Sequence, residues 1–212
     1  MKLLILEDNE KHLNDVKNIV NTLKEIKADF VTNLIEALTL LNINRYDVVI
    51  SDVFFPKKKE DNAESFENAI EIHKYLSQNK IYHIFCTSGH HHGNKYKNFN
   101  GKTEIVSSNS QSPFGNVGIV LEVKQTGITT EGIDPNGESD TKPWTAAIAA
   151  SCLNHEFYKL SSEEQGVVTD CEISKNNKIH GQDNGSSEQT IRNYLKKIPF
   201  VAETLDKYGL VL

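Results

Sequence analysis

The sequence predicts an α/β fold built on a parallel sheet. Three short apolar runs, at residues 3–6, 47–52 and 81–86, have the length of strands and lack the alternation of a half-exposed strand. Runs of this kind are typical of strands buried on both faces of a parallel sheet. Between them, apolar residues recur at helical spacing. Alternating strands and helices of these lengths favour right-handed βαβ units.

The predicted elements follow one another without long gaps over the first 86 residues. Leu13, Val16 and Val20 share one face of a helix predicted over about 10–25. The remaining predictions in this part are a strand at 28–32, a helix at 34–41, a strand at 47–52, a helix at 64–78 and a strand at 81–86.

The pattern becomes less regular after residue 87. Residues 90–140 contain seven of the twelve glycines, and two strands are predicted within them, at 103–106 and 117–124. A helix is predicted at 144–158, whereas residues 159–185 are polar and weakly patterned. A helix predicted from residue 186 is interrupted at Pro199, and a second one at 200–208 ends at Gly209.

Composition restricts the class of protein. The net charge of −6 argues against a chain that coats nucleic acid. No apolar run is long enough to span a membrane, and no charged and apolar leader is apparent. The three cysteines, Cys86, Cys152 and Cys171, are irregularly spaced and indicate reduced thiols instead of a disulfide framework or a zinc site. We therefore expect a cytoplasmic protein without a membrane partner.

Acidic residues end two of the predicted strands. Glu7 and Asp8 follow the first strand and Asp52 ends the strand at 47–52. Open α/β sheets place their sites at the carboxyl edge, where these side chains would meet. Three converging carboxylates are costly without a divalent cation, and oxygen ligands of this kind suit Mg²⁺. The alternative is that these acids only cap strand ends. Thr87, after the strand at 81–86, would add a hydroxyl group at the same edge.

Four segments together resemble the receiver domain of bacterial response regulators. They are residues 6–9 (Leu-Glu-Asp-Asn), 52–56 (Asp-Val-Phe-Phe-Pro), 87–88 (Thr-Ser) and 142–147 (Lys-Pro-Trp-Thr-Ala-Ala), the last being similar to chemotaxis-type receivers. The resemblance is good over residues 1–90, patchy to about 157 and absent beyond. It implies a doubly wound parallel sheet of receiver, or flavodoxin-like, type.

The resemblance also implies how the chain is organised. Residues 1–158 would form the receiver-like domain, with a β-rich insertion at about 90–140 or a replacement of the fourth helix. Residues 159–212 would form a C-terminal extension, mostly helical at 186–208. The insertion leaves the sheet next to Thr87, so it is expected either to sense phosphate and present a partner surface or to be a neutral surface loop.

For the site, the resemblance implies phosphoryl transfer onto Asp52 from a histidine kinase or phosphotransfer protein. Glu7, Asp8 and Asp52 would hold Mg²⁺ with the backbone carbonyl of Phe54. Thr87 would donate its hydroxyl group to the phosphoryl group.

A lysine would neutralise a second phosphoryl oxygen. Lys142 precedes a proline and an aromatic residue as in the family, whereas Lys124 ends the better predicted strand, so both remain candidates. Neither is preceded at the expected distance by the family's aromatic residue, since Ser139 and Leu121 stand there.

The favoured function is a signalling switch that acts through a downstream protein partner, with a possible homodimer. One alternative is a receiver-like adaptor that is never phosphorylated. Another is a DNA-binding regulator that uses residues 186–212, where Arg192, Lys196 and Lys197 could face phosphates. An independent enzyme is least favoured, because no Gly-rich phosphate loop or Ser-His pairing is visible.

Overall fold

The computed structural model describes residues 1–61, 63–86, 142–170 and 198–210. The strands are β1 (Lys2–Leu6), β2 (Lys27–Val31), β3 (Val48–Ser51), β4 (Phe55–Pro56), β5 (Glu64–Ser65) and β6 (Tyr82–Phe85). The helices are α1 (Glu10–Thr22), α2 (Leu34–Ile43), α3 (Phe66–Gln78), α4 (Lys142–Phe157), α5 (Ser162–Asp170) and α6 (Pro199–Tyr208). The strands and helices predicted for the first 86 residues are confirmed, with ends that differ by up to three residues.

Four parallel strands form the central sheet in the order β2-β1-β3-β6. In the register of the sheet, Leu3 lies beside Ala28 on one side and Val48 on the other. The connection from β1 to β2 runs toward one edge, and β3 and β6 lie on the opposite side of β1. This order is compatible with a flavodoxin-like fold. The short strands β4 and β5 pair antiparallel in a separate hairpin between β3 and α3.

Helices cover both faces of the sheet. Leu3 and Ile5 point to a core shared with α1, α4 and α6, whereas Leu4 and Leu6 point to a core shared with α2 and α3. All four side chains are completely buried, which explains why the run lacks polar residues. The prediction of a mixed α/β fold with a parallel sheet is confirmed.

Asparagine side chains cap the two helices that start at the carboxyl edge after β1 and β2. Asn9 accepts hydrogen bonds from the amides of Lys11 and His12, and Asn33 accepts one from the amide of Glu36. Both helices therefore begin immediately beyond the strands that precede them.

Residues 159–185 were expected to lack a clear pattern, and this was wrong for part of the segment, because α5 lies within it. The Ser161 hydroxyl oxygen accepts a hydrogen bond from the Glu164 amide, and the Glu164 carboxylate accepts one from the Ser161 amide. This reciprocal capping box satisfies the first amides of the helix and carries a sequence signal, a serine followed three residues later by glutamate.

The predicted helix at 200–208 is confirmed as α6, which ends at Gly209 with a left-handed backbone (φ 73°). Its residues Val201, Leu205 and Tyr208 are buried in the same core as α1 and α4. The Tyr208 hydroxyl donates a 2.6 Å hydrogen bond to the Glu156 carboxylate on α4. This last helix therefore packs onto the sheet's own core.

Several predictions lie outside the described residues: the insertion at 90–140, its strands at 103–106 and 117–124, and the helix from 186, with Arg192, Lys196 and Lys197. The division of the chain at residue 158 stays a prediction. In the part of the chain that the structure describes, no helix has the length and apolar character needed to cross a membrane.

We predict that Leu205→Ala lowers the free energy of unfolding by about 2–4 kcal/mol, since it leaves a cavity in a core formed by three helices and the sheet. Urea denaturation measures the change. Glu203→Ala, at an exposed position of the same helix, is the matched control and should change stability by less than about 0.5 kcal/mol. Equal effects of the two substitutions would show that α6 does not belong to the cooperative core.

Candidate metal centre

The acidic residues lie at the carboxyl ends of β1 and β3, where the strand order switches from one side of the sheet to the other. One backbone hydrogen bond beyond each strand fixes their positions: the Asp52 amide donates to the Leu6 carbonyl at 2.9 Å, and the Glu7 amide donates to the Val31 carbonyl at 3.1 Å. Since β1 and β3 are neighbours and their connections leave toward opposite edges, the switch point of the sheet lies at their carboxyl ends. Ligands of open α/β sheets bind at such switch points.

Glu7, Asp8 and Asp52 meet at this switch point. One carboxylate oxygen of each lies within 4.8 Å of the others. The Glu7 side chain is only 3 % exposed, whereas Asp8 and Asp52 are half-buried. The prediction that these three side chains converge is confirmed. The cluster could bind a metal ion, because three carboxylates each offer an oxygen ligand within this short distance.

The cluster is electrostatically costly while it holds no cation. Burial, and then the nearby carboxylate of Asp52, raise the pKa of Glu7 from 4.5 to about 8. The Asn9 amide opposes this shift through a 2.9 Å hydrogen bond to Glu7 Oε1. Burial also raises the pKa of Asp8, with Glu64 as the next largest cause. Glu7 therefore carries a proton at neutral pH unless a cation displaces it.

Glu64 is a fourth carboxylate at the site, and the sequence analysis missed it. The β4–β5 hairpin pairs Pro56 with Glu64, which places Glu64 against Asp8. The negative charge of Glu64 acts on Asp8 and helps to raise the pKa of its carboxyl group. No sequence signal indicates this contact, since it depends on two strands of two residues each.

The structure describes only some of the other predicted site residues. Phe54 is half-buried, with its ring 6.0 Å from that of Phe66, and the ligand role of its carbonyl stays a prediction. Lys142 begins α4, but its side chain is outside the described part of the structure, as are Thr87 and Lys124. The structure thus brings together three of the predicted residues, and the hydroxyl and lysine roles remain predictions.

Comparison with known proteins adds no assignment. The chain matches no protein-family model, and a search of curated proteins finds no significant match. What can be said about function therefore depends on the site and on the resemblance of its short motifs.

We predict that Glu7→Gln stabilises the metal-free fold at alkaline pH. Because the pKa of Glu7 is about 8 in the folded state against 4.5 for the ordinary group, the folded state retains a proton that the unfolded chain releases between these values. Wild-type stability is therefore lost as the pH rises through this window. Glutamine is uncharged throughout, so its unfolding free energy at pH 8 should exceed that of wild type by roughly 2–4 kcal/mol.

Urea denaturation in a metal chelator at pH 5 and pH 8 measures this difference, which should nearly vanish at pH 5. Glu10→Gln, an exposed neighbour at the start of α1, should behave as wild type at both pH values. A stabilisation that is equal at both pH values would contradict the protonation of Glu7.

Proposed function

We propose that this protein is a phosphorylatable switch of receiver type, with a flavodoxin-like fold and Asp52 as its phosphoacceptor. The observation that carries the proposal is the convergence of Glu7, Asp8 and Asp52 within 4.8 Å at the switch point of the sheet. The receiver resemblance implies these same three residues. The strand order β2-β1-β3-β6 supports the proposal as well.

Mg²⁺ is the proposed cation. Mg²⁺ prefers oxygen ligands, and every donor in the cluster is a carboxylate oxygen atom. When bound, the ion would neutralise the carboxylates and the charge on an incoming phosphoryl group. Glu7, Asp8 and Asp52 would hold it, with the Phe54 carbonyl as a further proposed ligand.

Asp52 would act as the nucleophile. Its carboxylate oxygen forms a bond to phosphorus while the bond between phosphorus and the donor breaks, and the donor keeps that electron pair. The Val53 amide donates a 2.6 Å hydrogen bond to Asp52 Oδ1 and so orients the carboxylate. The Thr87 hydroxyl and Lys142, or Lys124, would contact the transferred phosphoryl oxygens.

The proposed partners follow from this chemistry. A histidine kinase or a phosphotransfer protein would supply the phosphoryl group, and a downstream protein would read the phosphorylated state. We propose that the protein acts in the cytoplasm and has no enzymatic activity beyond its own phosphorylation and dephosphorylation.

A second candidate is an adaptor that is not phosphorylated. The raised pKa values of Glu7 and Asp8 favour it, because protons can neutralise these carboxyl groups in place of a cation. In this case protons would stabilise the acidic cluster and the fold would serve as an interaction surface.

We predict that acetyl phosphate and Mg²⁺ add one phosphoryl group to the wild-type protein, as measured by intact mass. Asp52→Asn should abolish the labelling because it removes the nucleophilic oxygen. Asp47→Asn, immediately before the opposite end of β3, is the matched control and should be labelled as wild type. Labelling that persists in Asp52→Asn would refute the assignment, and a wild-type protein that binds Mg²⁺ without labelling would favour the adaptor.

We also predict that Mg²⁺ affinity rises with pH up to about 8, because Glu7 must release its proton to bind the ion. Calorimetry in two buffers of different ionisation enthalpy should detect the released proton near pH 7. The double variant Glu7→Gln, Asp8→Asn should bind Mg²⁺ at least about 100-fold more weakly while it remains folded. Unchanged binding by the double variant would exclude this cluster as the metal site.

A further inference from the structure

A chain of polar side chains crosses the otherwise apolar face of the sheet that packs against α3. Ser51 Oγ lies 2.8 Å from His83 Nε2, and His83 Nδ1 lies 3.1 Å from His73 Nδ1. Ser51 and His83 are completely buried, whereas His73, on α3, is half-buried. This hydrogen-bond chain therefore runs from β3, which directly precedes Asp52, through β6, to α3 at the surface.

The positions of the protons in this chain depend on one another. When both histidines are neutral, a single hydrogen lies between the two Nδ1 atoms, and His83 Nε2 can either accept from Ser51 or donate to it. When the pair takes up one further proton, both outer nitrogens must carry hydrogens. His83 Nε2 then donates to Ser51 Oγ, and the Ser51 hydroxyl can no longer donate to His83.

The surroundings disfavour the protonated pair. The rings of both histidines pack near Phe85, with centroid distances of 4.1 Å for His83 and 5.7 Å for His73. Burial lowers the pKa of both histidines, and His73 lowers that of His83 further.

Two charged residues flank His73 on α3, and both are exposed. Glu71 faces Lys57 at 3.8 Å, and Lys74 is exposed. The β3 and β6 residues in the chain's immediate contacts, Ser51 and Phe85, are uncharged.

Helix α3 is also tied to the backbone just after Asp52, at the start of β4. The Asn68 side chain, in the first turn of α3, donates a 2.8 Å hydrogen bond to the Phe55 carbonyl, three residues after Asp52. Ser51 directly precedes Asp52. A change in the packing of α3 therefore affects the backbone on both sides of Asp52.

We propose that the Ser51–His83–His73 chain couples the strand that carries Asp52 to α3, and that proton uptake by the histidine pair loosens this contact. This makes it a pH-sensitive regulatory contact. Its effect on signalling rests on the proposed function, but the contact and its response to protons exist independently of phosphorylation.

Hydrogen exchange of the metal-free Glu7→Gln variant at pH 7.5 and pH 5.5, corrected for intrinsic rates, tests the loosening. This variant is the parent protein of the test because protonation of Glu7 stabilises the metal-free wild-type fold as the pH falls and would oppose the effect. Exchange in α3 should become faster at pH 5.5, by up to about tenfold for each histidine whose pKa burial lowers, because pH 5.5 lies about one unit below the ordinary pKa of 6.5. Adding His73→Gln should remove the share of His73 and so reduce the acceleration by up to about tenfold. Adding His155→Gln, which removes another half-buried histidine beside Asp47 at the opposite edge of the sheet, should leave the response of the parent protein unchanged.

Histidine NMR titration of the wild-type protein tests the coupling without any substitution. Because coupling between two sites is reciprocal, saturating Mg²⁺ should shift the midpoint of His73 and leave that of His155 unchanged. An α3 that exchanges at the same corrected rate at both pH values, or a His73 midpoint that does not move although calorimetry shows Mg²⁺ bound, would overturn the proposal. Either result would leave labelling of Asp52 intact, and a failure of labelling would leave the exchange measurement, which needs no metal, interpretable.

Discussion

The rest of the structure depends on the burial of like charges at the carboxyl edge of a parallel sheet. Neighbouring parallel strands end at the same edge, so acids that follow β1 and β3 must approach one another. In a site from which water is largely excluded, their repulsion is much stronger than in solution. Without a cation, protons relieve this repulsion, because the pKa values of both Glu7 and Asp8 are raised. A divalent cation would relieve the same repulsion with charge.

The start of α1 and the Asn9 amide, both next to this edge, stabilise the negative charge of the acids only in part. Helix α1 begins at Glu10, directly after the cluster, and the positive end of a helix dipole favours negative charge nearby. The Asn9 amide donates to Glu7. The pKa of Glu7 nevertheless remains near 8, so these contributions are smaller than the desolvation and the repulsion from Asp52. A buried acid that its own neighbours do not satisfy is typical of a site that awaits a ligand.

The features that could be predicted from the sequence are local, whereas the contacts that could not be predicted join residues far apart in the sequence. The apolar run at residues 3–6 and the acids after it are adjacent in the chain, so strand and site could be inferred together. Glu64 reaches Asp8 only through the pairing of two very short strands, and His73 meets His83 only through the packing of α3 on β6. Nothing in the local pattern distinguishes these residues from a loop acid and a core histidine. Helix α5 is different, because Ser161 and Glu164 form a capping signal that could have been recognised.

The two proton-binding groups near Asp52 act in the same direction in the proposed switch. Acidification keeps Glu7 neutral and so removes a ligand charge from the cation site. It also favours protonation of the histidine pair. Because burial disfavours the charged pair, α3 loosens its packing in the proposed switch. Both effects oppose the cation-bound, tightly packed state at low pH, and both vanish at alkaline pH. The groups lie on different elements and have no shared hydrogen bond in the described residues, so each can be altered without removing the other. The proposed switch therefore has two separable sources of pH dependence, one in the ligand set and one in the packing of the helix behind it.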